Sequence, residues 1–295
     1  MVIRKAVIPV AGLGTRFLPL GKILPKEFFP LVDKPVLQYI VEEAQKSGIK
    51  EIVFVNSPEK KAELDDYLNN YLKTNPQLKN VLKKRKKFDI LKEIELIEKS
   101  SQNTAFSQVF QKNPLGDGHA VLQAKNKIGS EPCLVLFNDD VFYAKTPPAK
   151  QLIKVFNQYK KPVMALYRLP KEKVYPYGVV KVKKVKQNVY EIQGIVEKPK
   201  TNEAPSNLAI VGKYVLTQEV FKALEKSPKL KGELRLAAAF SEMIKKGEKI
   251  YGCELEGKWL ECGNKLGYLK SNLYLSLKHP KFKKELKQFL KKESV

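Results

Sequence analysis

Apolar positions along the chain fall into two rhythms. Residues 7–10 (Val-Ile-Pro-Val) form a short run rich in β-branched side chains, as a buried strand does. Val36, Leu37, Ile40, Val41 and Ala44 then recur at helical spacing, and Gly48 stands where a left-handed cap would end that helix. Residues 52–55 are a second apolar run. Strand, helix, strand at this spacing predicts a βαβ unit, and therefore parallel strands with helices over their faces. A helix over 59–71 follows, then a lysine-rich excursion to residue 99 that reads as a surface insertion. Residues 104–111 alternate as a strand and lead through a glycine-rich turn to a helix over 120–127. Residues 133–137 (Cys-Leu-Val-Leu-Phe) are the most uninterrupted apolar run and predict a central strand buried on both faces.

The middle of the chain changes character. Residues 163–169 read as a strand, and 178–185 with 189–197 as a hairpin turning at Lys186-Gln187-Asn188. An amphipathic helix over 234–244 presents Leu236, Ala239, Phe240 and Met243 on one face, and two further helices over 266–277 and 282–290 carry an apolar stripe among lysines. The fold class expected is α/β: a Rossmann-like mixed, mostly parallel central sheet flanked by helices, with a small β-hairpin part and C-terminal helices. The expected organisation is one domain over 1–277, divided into halves 1–145 and 146–265, with a C-terminal helical segment over 266–295.

Composition narrows the class. A chain of 295 residues buries a substantial core. No apolar stretch has the length needed to span a bilayer, so no membrane partner is expected. Cys133, Cys253 and Cys262 are odd in number and lack metal-type spacing, which fits reduced thiols and a cytoplasmic location; His119 and His279 are too few for a histidine-rich metal site. The formal charge of +24 attracts polyanions and small phosphorylated substrates alike. Much of the excess lies in residues 79–92 and 278–292, which read as solvated helical faces, so no specific nucleic-acid partner is expected.

Candidate chemistry begins at the end of the first strand. Gly12 and Gly14 let the backbone turn tightly and bring its N–H groups close to an anion. The dinucleotide fingerprint fails because Phe17 stands where its third glycine belongs, and the P-loop fails because Ile23 follows Gly21-Lys22. What remains is a glycine turn with Arg16, followed by Lys26 beside Glu27. The segment Ala11-Gly12-Leu13-Gly14-Thr15-Arg16 with Pro25-Lys26-Glu27 resembles the signature loop of the sugar-nucleotide pyrophosphorylases, members of the sugar nucleotidyltransferase family, and within them the uridylyltransferases.

Further motifs follow in the order of that family. Gln111 and the turn Gly116-Asp117-Gly118-His119-Ala120 match a glycine-rich segment that closes on uracil and ribose. Asp139-Asp140, beyond the central strand, reads either as a turn or as a Mg²⁺ site; the strand's end is where ligand groups gather in open α/β sheets. Phe137-Asn138 replaces the family's leucine-proline before that pair. Glu197-Lys198-Pro199-Lys200 and residues 205–212 are close to the family's wording. Leu236-Ala237-Ala238-Ala239 departs from its Leu-Thr-Asp-Ala, and Glu261 stands for aspartate in an Asp-Cys-Gly-Asn segment.

The resemblance implies formation of UDP-glucose and pyrophosphate from UTP and α-D-glucose 1-phosphate, with Mg²⁺ as cofactor and a homodimer or homotetramer as the assembly. It implies that Arg16, Lys26, Asp139 and Lys198 are catalytic. Ala11, Gly12, Gly14, Thr15, Glu27, Gln111 and Gly116 would bind nucleotide. Asp140, Gly178, Glu197 and Asn207 would bind sugar, and Asp139 with Glu261 would hold metal. Three other readings share parts of this pattern. A related enzyme using dTTP or another sugar phosphate shares the first loop. A noncatalytic sugar-nucleotide sensor would fit the altered residues 236–239 and Glu261, and a polyanion-binding module would fit the charge.

Overall fold

The computed structural model describes residues 2–229 and 232–293. Nine strands form one sheet in the order Ala105–Phe110, Glu51–Asn56, Lys5–Pro9, Cys133–Leu136, Leu208–Leu216, Val163–Arg168, Tyr251–Glu254, Val189–Glu197, Gly178–Lys186. The first βαβ unit forms as its periodicity predicts, with Lys5–Pro9 parallel to Glu51–Asn56 across the helix Val36–Lys46. Both faces of the sheet are buried, so alternate residues serve two cores. Ile8, Phe54 and Leu134 pack on one side; Val7, Val53 and Val135 pack on the other.

The sheet is mixed, and the mostly parallel arrangement expected from its start holds only locally. Within this nine-stranded sheet four pairings of described strands are parallel and five antiparallel. The change comes at Leu208–Leu216, which lies between Cys133–Leu136 and Val163–Arg168 and runs antiparallel to both. Gly212 and Lys213 break its apolar run, so its pattern does not announce a central strand. Lys213 is fully buried, and its Nζ donates to Glu43 Oε2 at 2.9 Å. A buried ammonium is tolerated here because Glu43 pairs with it.

Other differences are local. The helix expected over 59–71 is a short helix Lys61–Asp66 continued by the wider turn Tyr67–Tyr71. The lysine-rich excursion is two helices, Pro76–Lys84 and Phe88–Ser101, with the run 83–87 at their junction. Helix Lys265–Ser276 lies against the body, where Tyr268 Oη donates to Pro30 O at 2.5 Å and Ser271 Oγ to Glu261 O at 3.2 Å. Of the segment expected over 266–295, residues 294 and 295 lie outside the described residues. Among those described, no helix is long and apolar enough to cross a membrane.

Candidate active site

The cleft opens at the carboxyl ends of Lys5–Pro9 and Cys133–Leu136. Its first wall is the loop over 10–16. Phe17 anchors that loop from below, packing edge-on against Phe29 at 5.0 Å between ring centroids and against Tyr268 at 6.1 Å. Behind it, Lys60 Nζ donates to Gly12 O at 2.5 Å, to Val10 O at 3.2 Å and to Glu27 Oε1 at 2.9 Å. This strap turns two loop carbonyls away from the cleft. A side chain at Gly12 would meet nothing within 4 Å, so the space above this residue is open to a ligand. Arg16 projects into the cleft and makes no ion pair among the described residues.

The opposite wall is the turn before helix Asp117–Gln123. Gly116 has φ 102°, and a Cβ there would collide with the Leu234 carbonyl; only glycine fits this packing. Gln111 Nε2 donates to Gly116 O at 3.1 Å and stands 2.9 Å from His119 Nδ1. Burial and the charge of Lys229 hold the pKa of His119 below its ordinary value, and Gln123 Nε2 stands 3.2 Å from its other ring nitrogen. His119 itself does not line the cavity. Asp117 Oδ1 accepts from Gly118 N at 2.6 Å and from Leu236 N at 3.0 Å, which ties this turn to the start of helix Leu236–Lys245. Desolvation, to which Glu197's charge adds, raises Asp117 above the usual carboxylate range despite those two N–H groups.

The floor is Asn138-Asp139-Asp140. Lys26 Nζ meets Asp139 Oδ2 at 2.6 Å. Burial opposes both charges, but each partner's charge prevails, lowering the Asp139 pKa and raising that of Lys26. Asp140 differs. Burial and the charge of Asp139 push its pKa up to about 7, although Oδ2 accepts from Gly212 N at 2.9 Å and Oδ1 from Trp259 Nε1 at 2.8 Å.

The remaining wall comes from the hairpin. Gly178 pairs with Glu197 across it, and a Cβ at Gly178 would lie 3.0 Å from Glu197 Oε1. Lys198 adopts φ 47°, unusual for a side-chain-bearing residue. Its N–H donates to Tyr177 O at 3.1 Å, and the residue lines the cleft.

A cavity of about 550 Å³ joins these walls. It is bordered by Ala11, Gly12, Gly14, Thr15, Arg16 and Lys26 from the first loop, and by Gln111, Gly116, Asp139, Glu197 and Lys198 from elsewhere. Asp140 and Glu261 border an adjoining lobe of about 280 Å³, and Gly178 borders another of about 200 Å³ that also touches Glu197. Three expected residues are engaged differently. Glu27 is 1% exposed and lies behind the loop on Lys60, outside the lining of the cavity. Asn207 Oδ1 accepts from Arg168 Nη1 at 2.6 Å, in a surface cluster with Glu254, because Asn207 immediately precedes the strand Leu208–Leu216, whose first residue pairs with Arg168. Glu261 uses one oxygen to accept from Tyr177 Oη at 2.9 Å and the other from Asn264 Nδ2 at 2.8 Å.

No histidine or cysteine lines the cavity among the described residues, nor do they contain a cluster of three or more metal-ligating side chains. Asp139 alone still suits Mg²⁺, which is commonly held by one or two carboxylates with water and substrate phosphate completing its shell. Glu261, held by Tyr177 and Asn264, borders the adjoining lobe and not the main cavity. Lys60 and Asp117 escape sequence reading: a lysine on a surface-like helix start and the residue between the two glycines of a turn carry no local signal.

Comparison with known proteins follows the same lines. Residues 5–276 match the family model described as nucleotidyl transferase. The chain is 40% identical over 297 residues to a UTP–glucose-1-phosphate uridylyltransferase of Staphylococcus epidermidis, covering 99% of each chain. Among solved structures it resembles a UTP-bound UGPase from Acinetobacter baumannii, with TM-score 0.87, 37% identity, and 98% and 99% of the two chains covered. It also resembles a UDP-glucose pyrophosphorylase complexed with UDP-glucose, with TM-score 0.82, 34% identity, and 94% and 100% covered.

Proposed function

The chain belongs to the nucleotidyl transferase family, and from that premise we propose that it transfers the uridylyl group of UTP to α-D-glucose 1-phosphate, forming UDP-glucose and pyrophosphate. The observation that carries this reading is the meeting of Arg16, Lys198 and the Lys26–Asp139 pair around one cavity lined by no serine, cysteine or histidine among the described residues. Such a site suits a reaction whose nucleophile arrives with the substrate. The second pKa of a phosphate is about 6, so the sugar phosphate is ionised at neutral pH and needs no base. Its oxygen attacks the α-phosphorus in line, and the bond from that phosphorus to the bridging oxygen breaks as pyrophosphate leaves. The barrier is repulsion between two anions, met by positioning and charge neutralisation.

The roles divide along the cleft. Ala11, Gly12, Gly14, Thr15 and Gly116 border the nucleotide, and Gln111 Oε1, which accepts no hydrogen bond among the described residues, takes the uracil N3–H. Arg16 and Lys26 neutralise the β and γ phosphates, while Lys198 draws in the phosphate of the sugar. Gly178, Glu197 and Asp140 shape the sugar end. Glu27 supports the loop through Lys60 instead of touching nucleotide. Asp139 would hold Mg²⁺, which when bound supplies further positive charge at the reacting phosphates. The half 1–145 supplies the residues that border the nucleotide, and the half 146–265 supplies Gly178, Glu197 and Lys198 at the sugar end. Exposed Leu266, Leu269 and Leu273 support a homodimer or homotetramer, and the buried thiols a cytoplasmic location.

Pyrophosphate release, followed with UTP or dTTP against glucose 1-phosphate and other sugar 1-phosphates, tests the reading. Highest kcat/KM with UTP and glucose 1-phosphate, and loss of turnover with EDTA, are expected. Binding of UDP-glucose without turnover would overturn it.

A further inference from the structure

Asp117 stands where the three lobes of the cleft meet, bordering the main cavity, the lobe of Asp140 and Glu261, and the lobe of Gly178 and Glu197. Its Oδ1 is fixed by two backbone N–H groups, those of Gly118 and Leu236. Capping the helix at Leu236 needs one oxygen only. Oδ2 accepts no hydrogen bond among the described residues, and the side chain is open to the cleft. A carboxylate held in one orientation by one oxygen, with the other presented to a cavity, is a preorganised acceptor for a ligand hydroxyl.

Its surroundings point toward the sugar. Asp117 feels the charge of Glu197, which faces the same lobe, and that of Arg235, itself bound to Glu233 Oε2 at 2.7 Å. Gly178 and Ala237 are small, and Tyr177 and Tyr214 supply ring surface, in a lobe of about 200 Å³ that both carboxylates line. Two carboxylates that line one small lobe are satisfied together by a ligand bearing several hydroxyl donors.

We propose that Asp117 accepts a hydrogen bond from a hydroxyl of the sugar 1-phosphate and is, beside Glu197, a specificity-determining residue of this cleft. The proposal rests on the function argued above and adds a residue to it. Asp117→Asn retains an acceptor for the two N–H groups while replacing the free oxygen by an amide nitrogen. Wild type and variant are compared with glucose 1-phosphate, with each singly deoxygenated glucose 1-phosphate, and with UTP and 2′-deoxy-UTP. Loss of a hydrogen bond to a charged acceptor should raise KM for glucose 1-phosphate about tenfold or more, while KM for UTP stays within about twofold. With one deoxy sugar, wild type and variant should become equal. A deficit that persists with every deoxy sugar would reduce Asp117 to a helix cap, and one that vanishes with 2′-deoxy-UTP would assign it to the ribose; either overturns the proposal. Should Asp117→Asn fail to fold, Asp117→Ser retains one acceptor and undergoes the same comparison. If wild type does not turn over, the function fails separately, and calorimetry decides for Asp117. Weaker binding of UDP-glucose but not of UDP by the variant supports it; equal weakening overturns it.

Discussion

Lys26 Nζ lies 2.6 Å from Asp139 Oδ2, so a principal cation of the cleft is already neutralised by a carboxylate in the unliganded chain. The two residues are 113 positions apart and only the sheet brings them together. Substrate phosphate must therefore compete with Asp139 for Lys26, and a divalent ion on Asp139 would release the lysine for that task. Asp139→Asn and Lys26→Met are each expected to lower kcat about 100-fold or more, the scale of losing a preorganised charge at a transition state. In thermal or urea unfolding of the unliganded chain, the double variant should lose less than the sum of the singles, with a coupling of about 1–3 kcal/mol. Additive losses would show that the pair does not act as a unit.

The Lys60 strap acts on the loop from behind. Lys60→Met frees the carbonyls of Val10 and Gly12 and leaves Glu27 buried without its cation. Stability should fall by about 3 kcal/mol, as when one member of a buried pair is removed. KM for UTP should rise about tenfold or more, since small displacements of positioning groups are costly. Lys60→Arg is expected to restore part of both. Unchanged UTP kinetics in a folded Lys60→Met protein would deny the strap any role in the loop.

Two glycines of the cleft should respond in opposite ways. Gly12→Ala meets no atom within 4 Å and requires no positive φ, so its unfolding midpoint should remain near that of wild type while UTP binding weakens. Gly116→Ala combines φ 102° with a collision against Leu234 O. It should cost more than about 1 kcal/mol of stability, from strain of this kind alone. Circular dichroism melts and UTP titration of both variants separate the two effects.

Asp140 carries a pH dependence of definite sign. Its carboxyl titrates at about 7 in the folded chain, against about 3.9 when unfolded. Between these values the folded state binds the extra proton, so this group's contribution makes stability fall as pH rises. Asp140→Asn should remove that part of the slope in urea unfolding between pH 4.5 and pH 7.5, roughly the window these values define. Its absolute stability should also drop, because an amide N–H would face either the Gly212 or the Trp259 N–H. A slope unchanged by the substitution would mean that Asp140 is not the group titrating there.

Much of this molecule is legible in local pattern. Uninterrupted apolar runs and period-3.6 repeats announce the βαβ start and the central strand Cys133–Leu136, and paired strand-like runs announce the hairpin, because local pattern records how an element is buried. The glycine turn, Arg16, Lys26, the aspartate pair and Glu197-Lys198 are likewise readable as short strings of residue types. Tertiary structure alone decided how these strings are used. It placed Leu208–Leu216 at mid-sheet, with Lys213 matched to Glu43 from 170 positions away. It set Glu27 on Lys60 behind the loop, drew Asn207 to Arg168, occupied both oxygens of Glu261, and turned Asp117 into the cleft. The reason is physical: a residue's type is written at its own position, but the role of a charged or polar group is set by the partner that satisfies it, and that partner is supplied by the fold.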